Sequence, residues 1–122
     1  MNQPIWIPPG GGVHAGERLM DAAAREAREE CGLVVQPQRL LYVSELLHPD
    51  WHVLEYYWLC EWRSGQLRLG SDPERESAPI LLDVAWLPLQ ELTHTPDFWP
   101  AFLRQTLARD LALPDLGVQF IP

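Results

Sequence analysis

GGVHAGERLMDAAAREAREECGL, residues 11–33, is the stretch on which the reading of this chain turns. Glu17 to Cys31 is rich in Ala, Glu, Arg and Leu, which favour helix. Gly32 is a natural helix terminator, so the composition predicts a helix over 17–31. On that helix Glu26, Glu29 and Glu30 stand at i, i+3 and i+4 and share one face. Like charges at that spacing cost an isolated helix about a few tenths of a kcal/mol per pair. Two arrangements tolerate the crowding. Either the face is simply solvated, or a hard cation such as Mg²⁺ or Mn²⁺ sits among its oxygens. The glycines just before the helix let backbone approach a ligand closely. On charge alone the solvated face is the favoured arrangement.

Working outward, Ile5-Trp6-Ile7 reads as the end of a short strand. Pro8-Pro9-Gly10-Gly11-Gly12 stops it, because proline cannot donate a ladder hydrogen bond. Downstream, 39–47 (RLLYVSELL) and 52–62 (HVLEYYWLCEW) have strand composition. Residues 63–66 read as a turn, 70–79 as a polar acidic loop, 81–87 (LLDVAWL) as a further strand, and 88–92 as one helical turn. Thr95 and Pro96 suit the start of a second helix, with Leu103, Leu107 and Leu111 along one face. The tail after Pro114 reads as irregular. Helices set among strands in this order predict an α+β chain around a mixed sheet.

Residues 11–33 also resemble the Nudix signature. That signature is a glycine, five residues, a glutamate, seven residues, then Arg-Glu-aliphatic-any-Glu-Glu-any-Gly-aliphatic. Gly11, Glu17, Arg25, Glu26, Ala27, Glu29, Glu30, Gly32 and Leu33 fill its places without a gap, and Trp6 to Gly10 resembles the entry to it. Ala27 departs from the bulkier aliphatic residue usual there. The resemblance implies a Nudix-like α/β/α sandwich with a mixed β-sheet, built as a single domain over 1–122. It implies that Glu29 and Glu30 bind Mg²⁺ (or Mn²⁺), that Glu26 is a further ligand or the general base, and that the Gly11 carbonyl completes the metal shell. Arg25 is implied to pair with Glu17 and orient the helix. Gly11, Gly12 and His14 lie where the substrate's phosphates are expected. A further acidic ligand often comes from a later loop, for which Glu76 is the choice and Glu74 the alternative. Against it stands an ordinary solvated acidic loop.

The aromatic residues add less. Six tryptophans is a high count, and Trp51, Tyr56, Tyr57, Trp58 and Trp62 crowd one region. Strand 52–62 alternates, so one set of its side chains is core and only the other is open to stack on a base. The segment His48-Pro49-Asp50-Trp51-His52 reads as a loop near the substrate.

Composition sets the outer bounds. With 122 residues, 47% hydrophobic and 21% charged, the chain is an ordinary globular one. A net charge of −8 disfavours long nucleic acid as a partner, while a small phosphorylated substrate is compatible if a cation neutralises the site. No apolar run of about 18 residues is present, so no membrane association is expected. The start lacks a signal-peptide pattern. Cys31 and Cys60 have no metal-like spacing and read as buried thiols of a cytoplasmic protein. The resemblance leads to the expectation of one or two strands before the box, and the ten residues before Gly11 are short for them. A truncated gene, a homodimer that completes the sheet, or a degenerate member would each account for it, and the homodimer is the expectation. The function expected is Mg²⁺-dependent hydrolysis of a pyrophosphate bond in a nucleoside diphosphate linked to another moiety. Nucleoside triphosphates, ADP-ribose, dinucleoside polyphosphates and sugar nucleotides all satisfy that description. The alternative is a nucleotide-binding or regulatory module on the same fold without turnover.

Overall fold

The computed structural model describes residues 3–70 and 81–122. The chain is α+β, as expected, with a helix and a mixed three-stranded sheet in its larger unit. Contacts divide it into two compact units, Pro9–Val84 with Gly117–Pro122, and Met1–Pro8 with Ala85–Leu116.

In the larger unit α1 spans Leu19–Cys31. Gly32 ends it with φ +72°, the left-handed conformation that costs glycine least. Strand β1, Leu33–His48, follows immediately, and β2, Trp51–Gly65, returns antiparallel to it. Strand β3, Gln119–Ile121, pairs in parallel with Tyr42–Ser44 on the other side of β1, so the order is β2-β1-β3. α1 packs against β1. Ala22, Ala27, Leu33 and Tyr42 form the apolar core of this unit, and the Tyr42 and Tyr57 rings meet edge to face at 6.5 Å.

The sheet corrects several expectations. β1 begins at Leu33 rather than at 39, because Pro37 does not end it. Register shifts fall between Val34 and Val35, Pro37 and Arg39, and Leu40 and Tyr42. A proline is tolerated at such a bulge, where a ladder donor is not required. Residues 63–65, expected as part of a turn, continue β2, since Val34 pairs with Ser64 and Leu33 with Gly65. The turn is instead Pro49-Asp50, between the paired His48 and Trp51. The segment 48–52 is therefore a hairpin tip at the end of β1 opposite to α1, with the His48 and Trp51 rings stacked 4.9 Å apart. The tail after Pro114 is not wholly irregular, because it supplies β3.

In the smaller unit Trp6 forms a single parallel bridge to Phe98 rather than a strand. Its amide donates to Asp97 O at 2.9 Å, and Trp99 N donates to Trp6 O at 2.7 Å. Residues 81–87 have no strand conformation, for no partner among the described residues offers them a ladder. A 3-10 helix covers Leu89–His94. Thr95 closes that element, its hydroxyl donating to Glu91 O at 2.8 Å, instead of starting the next helix. α2 is Ala101–Leu111. Its start is set by Pro100, whose ring is not compatible with a helix interior. Leu92 and Leu103 are the buried apolar residues of this unit. No helix of the described residues is long and apolar enough to cross a membrane.

Candidate active site

The buried residues of α1 are Ala22, Glu26, Ala27 and Glu30. Their spacing is that of a helix stripe turned into the fold, and half of it is carboxylate. Glu26 is 1% exposed and Glu30 3%. Carboxylates are almost never that buried unless paired or hydrogen-bonded. For these two, the solvated-face arrangement is therefore excluded. Glu29, with a side chain 25% exposed, stands at the rim of the same cluster.

Each carboxylate is tied to a neighbour. The Gly10 amide donates to Glu30 Oε1 at 2.7 Å. Arg25 Nη1 donates to Glu26 Oε1 at 3.0 Å and to Glu29 Oε2 at 3.2 Å. Its Nε and Nη2 donate to the two oxygens of Glu17 at 2.8 and 3.1 Å, and Nη2 also reaches Gly12 O at 2.9 Å. One guanidinium thus joins the loop, Glu17 and two of the three helix glutamates. The geometry suits arginine, whose planar fork presents five donors in fixed directions. Hydrogen bonds from Arg25 and from the His14 amide hold the Glu17 carboxyl down at about 2, against an ordinary 4.5. Glu17 in turn pushes the Arg25 pKa above its usual value.

The glycine loop meets the helix at Gly11. A Cβ there would lie 2.5 Å from Glu26 Oε1 and 2.8 Å from its carboxyl carbon. Only glycine lets the backbone come up to that carboxylate. Gly12 presents its carbonyl to Arg25. His14 is half exposed, its amide donating to Glu17 Oε1 at 3.0 Å and its ring 4.0 Å from the same carboxylate. Gly11, Gly12, His14, Arg25, Glu26, Glu29 and Glu30 are thus assembled around one loop and one helix end. Glu74 and Glu76 lie outside the described residues.

The donors are of the right kind for a divalent cation: carboxylate oxygens beside a glycine loop that at Gly11 has no room for a side chain. Their convergence is less complete. No group of three or more His, Cys, Asp or Glu among the described residues is spaced to hold a metal ion. Arg25 Nη1 stands between Glu26 and Glu29, and Glu30 is drawn to the Gly10 amide. The residues fit the group in chemistry and location, with Glu29 the one that has room to turn.

Three hydrogen bonds were not anticipated from the sequence. One is from the Gly10 amide to Glu30. The other two are at the end of α1, where the Arg68 and Gly70 amides donate to Cys31 O and Glu30 O, each at 2.9 Å. No motif marks them, since all three are backbone donors. Cys31 and Cys60 are free and half buried, and burial raises the pKa of both thiols.

Comparison with known proteins shows the family. The family model described as NUDIX domain matches residues 2–109. The "8-oxo-dGDP phosphatase NUDT18" of Homo sapiens is 33% identical over 87 residues, covering 71% of this chain and 25% of the relative. The "m7GpppN-mRNA hydrolase NUDT17" of Danio rerio is 34% identical over 95 residues, covering 65% of this chain and 32% of the relative. The "Phosphatase NudJ" of Escherichia coli K12 is 41% identical over 46 residues, covering 38% of this chain and 30% of the relative. The matched stretches thus span 25% to 32% of these relatives' lengths.

Proposed function

The chain belongs to the Nudix family, and from that premise we propose that it hydrolyses a pyrophosphate bond in a nucleoside diphosphate linked to another moiety, with Mg²⁺ or Mn²⁺ as cofactor. The observation that carries the reading is the burial of Glu26 and Glu30 against the glycine loop. Two carboxylates held that far from water on one helix face call for positive charge. Among the described residues, Glu17, Glu26 and Glu29 share Arg25.

Glu26, Glu29, Glu30 and the Gly11 carbonyl would hold the cation. When bound it supplies charge neutralisation on the bridging phosphates and activation of water. The protein's own part is positioning and proton transfer. Arg25 fixes Glu26 and Glu29 relative to Glu17 and to the Gly12 carbonyl, so the loop and the helix move as one piece. A carboxylate of the cluster accepts the proton of the attacking water. The water oxygen forms a bond to phosphorus, the bridging P–O bond breaks, and its electron pair leaves with the departing phosphate. Gly11, Gly12 and His14 border the place where the diphosphate must lie. His14 is exposed enough to reach an anion.

Two of the relatives named above are called after a nucleoside diphosphate and a capped mRNA, so the family alone leaves the leaving group open. A panel of nucleoside di- and triphosphates, ADP-ribose, dinucleoside polyphosphates and sugar nucleotides, each with Mg²⁺, Mn²⁺ or a chelator, tests the reading. Metal-dependent turnover of at least one supports it. Binding without turnover favours the second reading, a nucleotide-binding or regulatory module. The placement of Arg25 between Glu26 and Glu29 speaks for that second reading. We carry the homodimer as part of the proposal, with β2 as the surface a second copy would cover, and a cytoplasmic location with it.

A further inference from the structure

An α-helix leaves the carbonyls of its last turn without partners inside the helix. In α1 that turn carries Glu29 and Glu30, so its backbone decides where two carboxylates point. Gly32 closes the helix through its own amide, which donates to Arg28 O at 3.0 Å. The carbonyls of Glu30 and Cys31 are satisfied from elsewhere. Arg68 N donates to Cys31 O and Gly70 N to Glu30 O, both at 2.9 Å. The donors belong to the segment that leaves β2, whose backbone runs alongside the helix end.

At Gly70 the approach is as close as backbone allows. A Cβ there would fall on the Glu29 carbonyl oxygen, with the Glu29 carbonyl carbon at 2.8 Å and that of Glu30 at 3.1 Å. Every one of those atoms is main chain, so no side-chain rotation relieves the clash. At Gly32 a Cβ would meet Gln66 O at 2.9 Å and the Arg68 side chain. Glu30 is therefore gripped twice: Gly10 holds its carboxylate and Gly70 holds its carbonyl. Glu29 is held by Arg25 at its carboxylate and abutted by Gly70 at its carbonyl.

We propose that Gly70 is a positioning residue for the carboxylate pair Glu29 and Glu30, and that Gln66–Gly70 braces the last turn of α1 in the register their ligand role requires. The inference rests on the metal-dependent reading above. Gly70 touches neither substrate nor cation. It acts through the peptide that joins the two glutamates, and misplacing reacting groups by about 1 Å can cost roughly a hundredfold in rate.

The test is Mn²⁺ titration by calorimetry, with kcat and KM on whichever nucleotide the panel identifies, for wild type, Gly70→Ala and Gly117→Ala. Gly117 has nothing within 4 Å of a Cβ and serves as the control. The expected result is a folded Gly70→Ala whose Mn²⁺ affinity falls about 10- to 100-fold, as for other groups that orient ligands. Its kcat should fall with it while KM for the nucleotide changes little, and Gly117→Ala should match wild type. Gly70→Ala equal to wild type in both affinity and kcat overturns the proposal. If Gly70→Ala does not fold, amide exchange on the wild type decides. The Gly70 and Arg68 amides should be protected, and more so with Mg²⁺ added; exchange of the Gly70 amide at a free-peptide rate in both conditions overturns the proposal. A wild type that binds no Mn²⁺ and turns over no nucleotide sinks the functional reading and this inference with it. A competent wild type beside an unaffected Gly70→Ala sinks the inference alone.

Discussion

Glu17 sits just before α1, yet its carboxylate fixes the loop to the helix. It accepts from the His14 amide and from Arg25. Its carboxyl is held at about 2 instead of 4.5, so folding binds fewer protons than the unfolded chain at intermediate pH. A group depressed in the folded state contributes stability above its unfolded pKa and loses it as pH falls through the folded one. The wild type should therefore lose an increment of stability between about pH 4.5 and pH 2. Glu17→Gln should lack that increment, which paired thermal melts over the same range will read. Identical pH dependence in the two proteins would contradict the assignment. The shared face of Glu26, Glu29 and Glu30 was legible in the sequence because their spacing is local, whereas the Arg25–Glu17 pair was expected only from the resemblance. Helix geometry puts positions 26, 29 and 30 together whatever the rest of the chain does. The Gly10 amide and the Gly70 brace were not legible. Backbone donors carry no residue signature, and Gly70 lies 40 positions beyond the Glu30 carbonyl it meets (70 − 30).

Elements follow the same division between local and distant causes. α1 was readable to within two residues at its start, the ordinary uncertainty of a helix end. The hairpin was readable as two strands but not in its register. Pro37 looks like a strand breaker until a bulge accommodates it, and Gly65 looks like a turn until Leu33 pairs with it. β3 is three residues long and exists only because Tyr42–Ser44 offers it an edge, so nothing near Gln119 could announce it. The apparent strand at 81–87 fails for the converse reason, having suitable residues without a described partner. Tyr42 is the hinge of this packing. It is 1% exposed, lies at the β1–β3 register, and meets Tyr57 edge to face. Replacing a buried aromatic residue by alanine costs about 3–5 kcal/mol, so urea denaturation of Tyr42→Ala should show a loss of that size. A loss below about 0.5 kcal/mol, the range of ordinary surface changes, would place the core of this unit elsewhere.

At the scale of the whole molecule two properties stand against each other. The net charge of −8 favours dispersal of the chain in solution. β2, however, pairs with β1 alone among the described residues and exposes Trp51, Val53, Leu54, Tyr56, Leu59 and Trp62. A long apolar strand with one open edge is a template for another chain. Light scattering should accordingly give twice the 14.0 kDa chain mass, and a monomer at all concentrations would rule the dimer out. The central proposal is chemical rather than one of assembly: that the buried glutamates of the box helix serve metal-dependent pyrophosphate hydrolysis. Glu30→Gln tests it most directly, because glutamine keeps an oxygen for the Gly10 amide while it removes the charge and turns the second acceptor oxygen into a donor. Nucleotide hydrolysis with saturating Mg²⁺ should drop by more than about a hundredfold, beyond the 10- to 100-fold typical of a group that merely supports a ligand, while the melting curve stays cooperative. Turnover by Glu30→Gln at the wild-type rate would contradict the account.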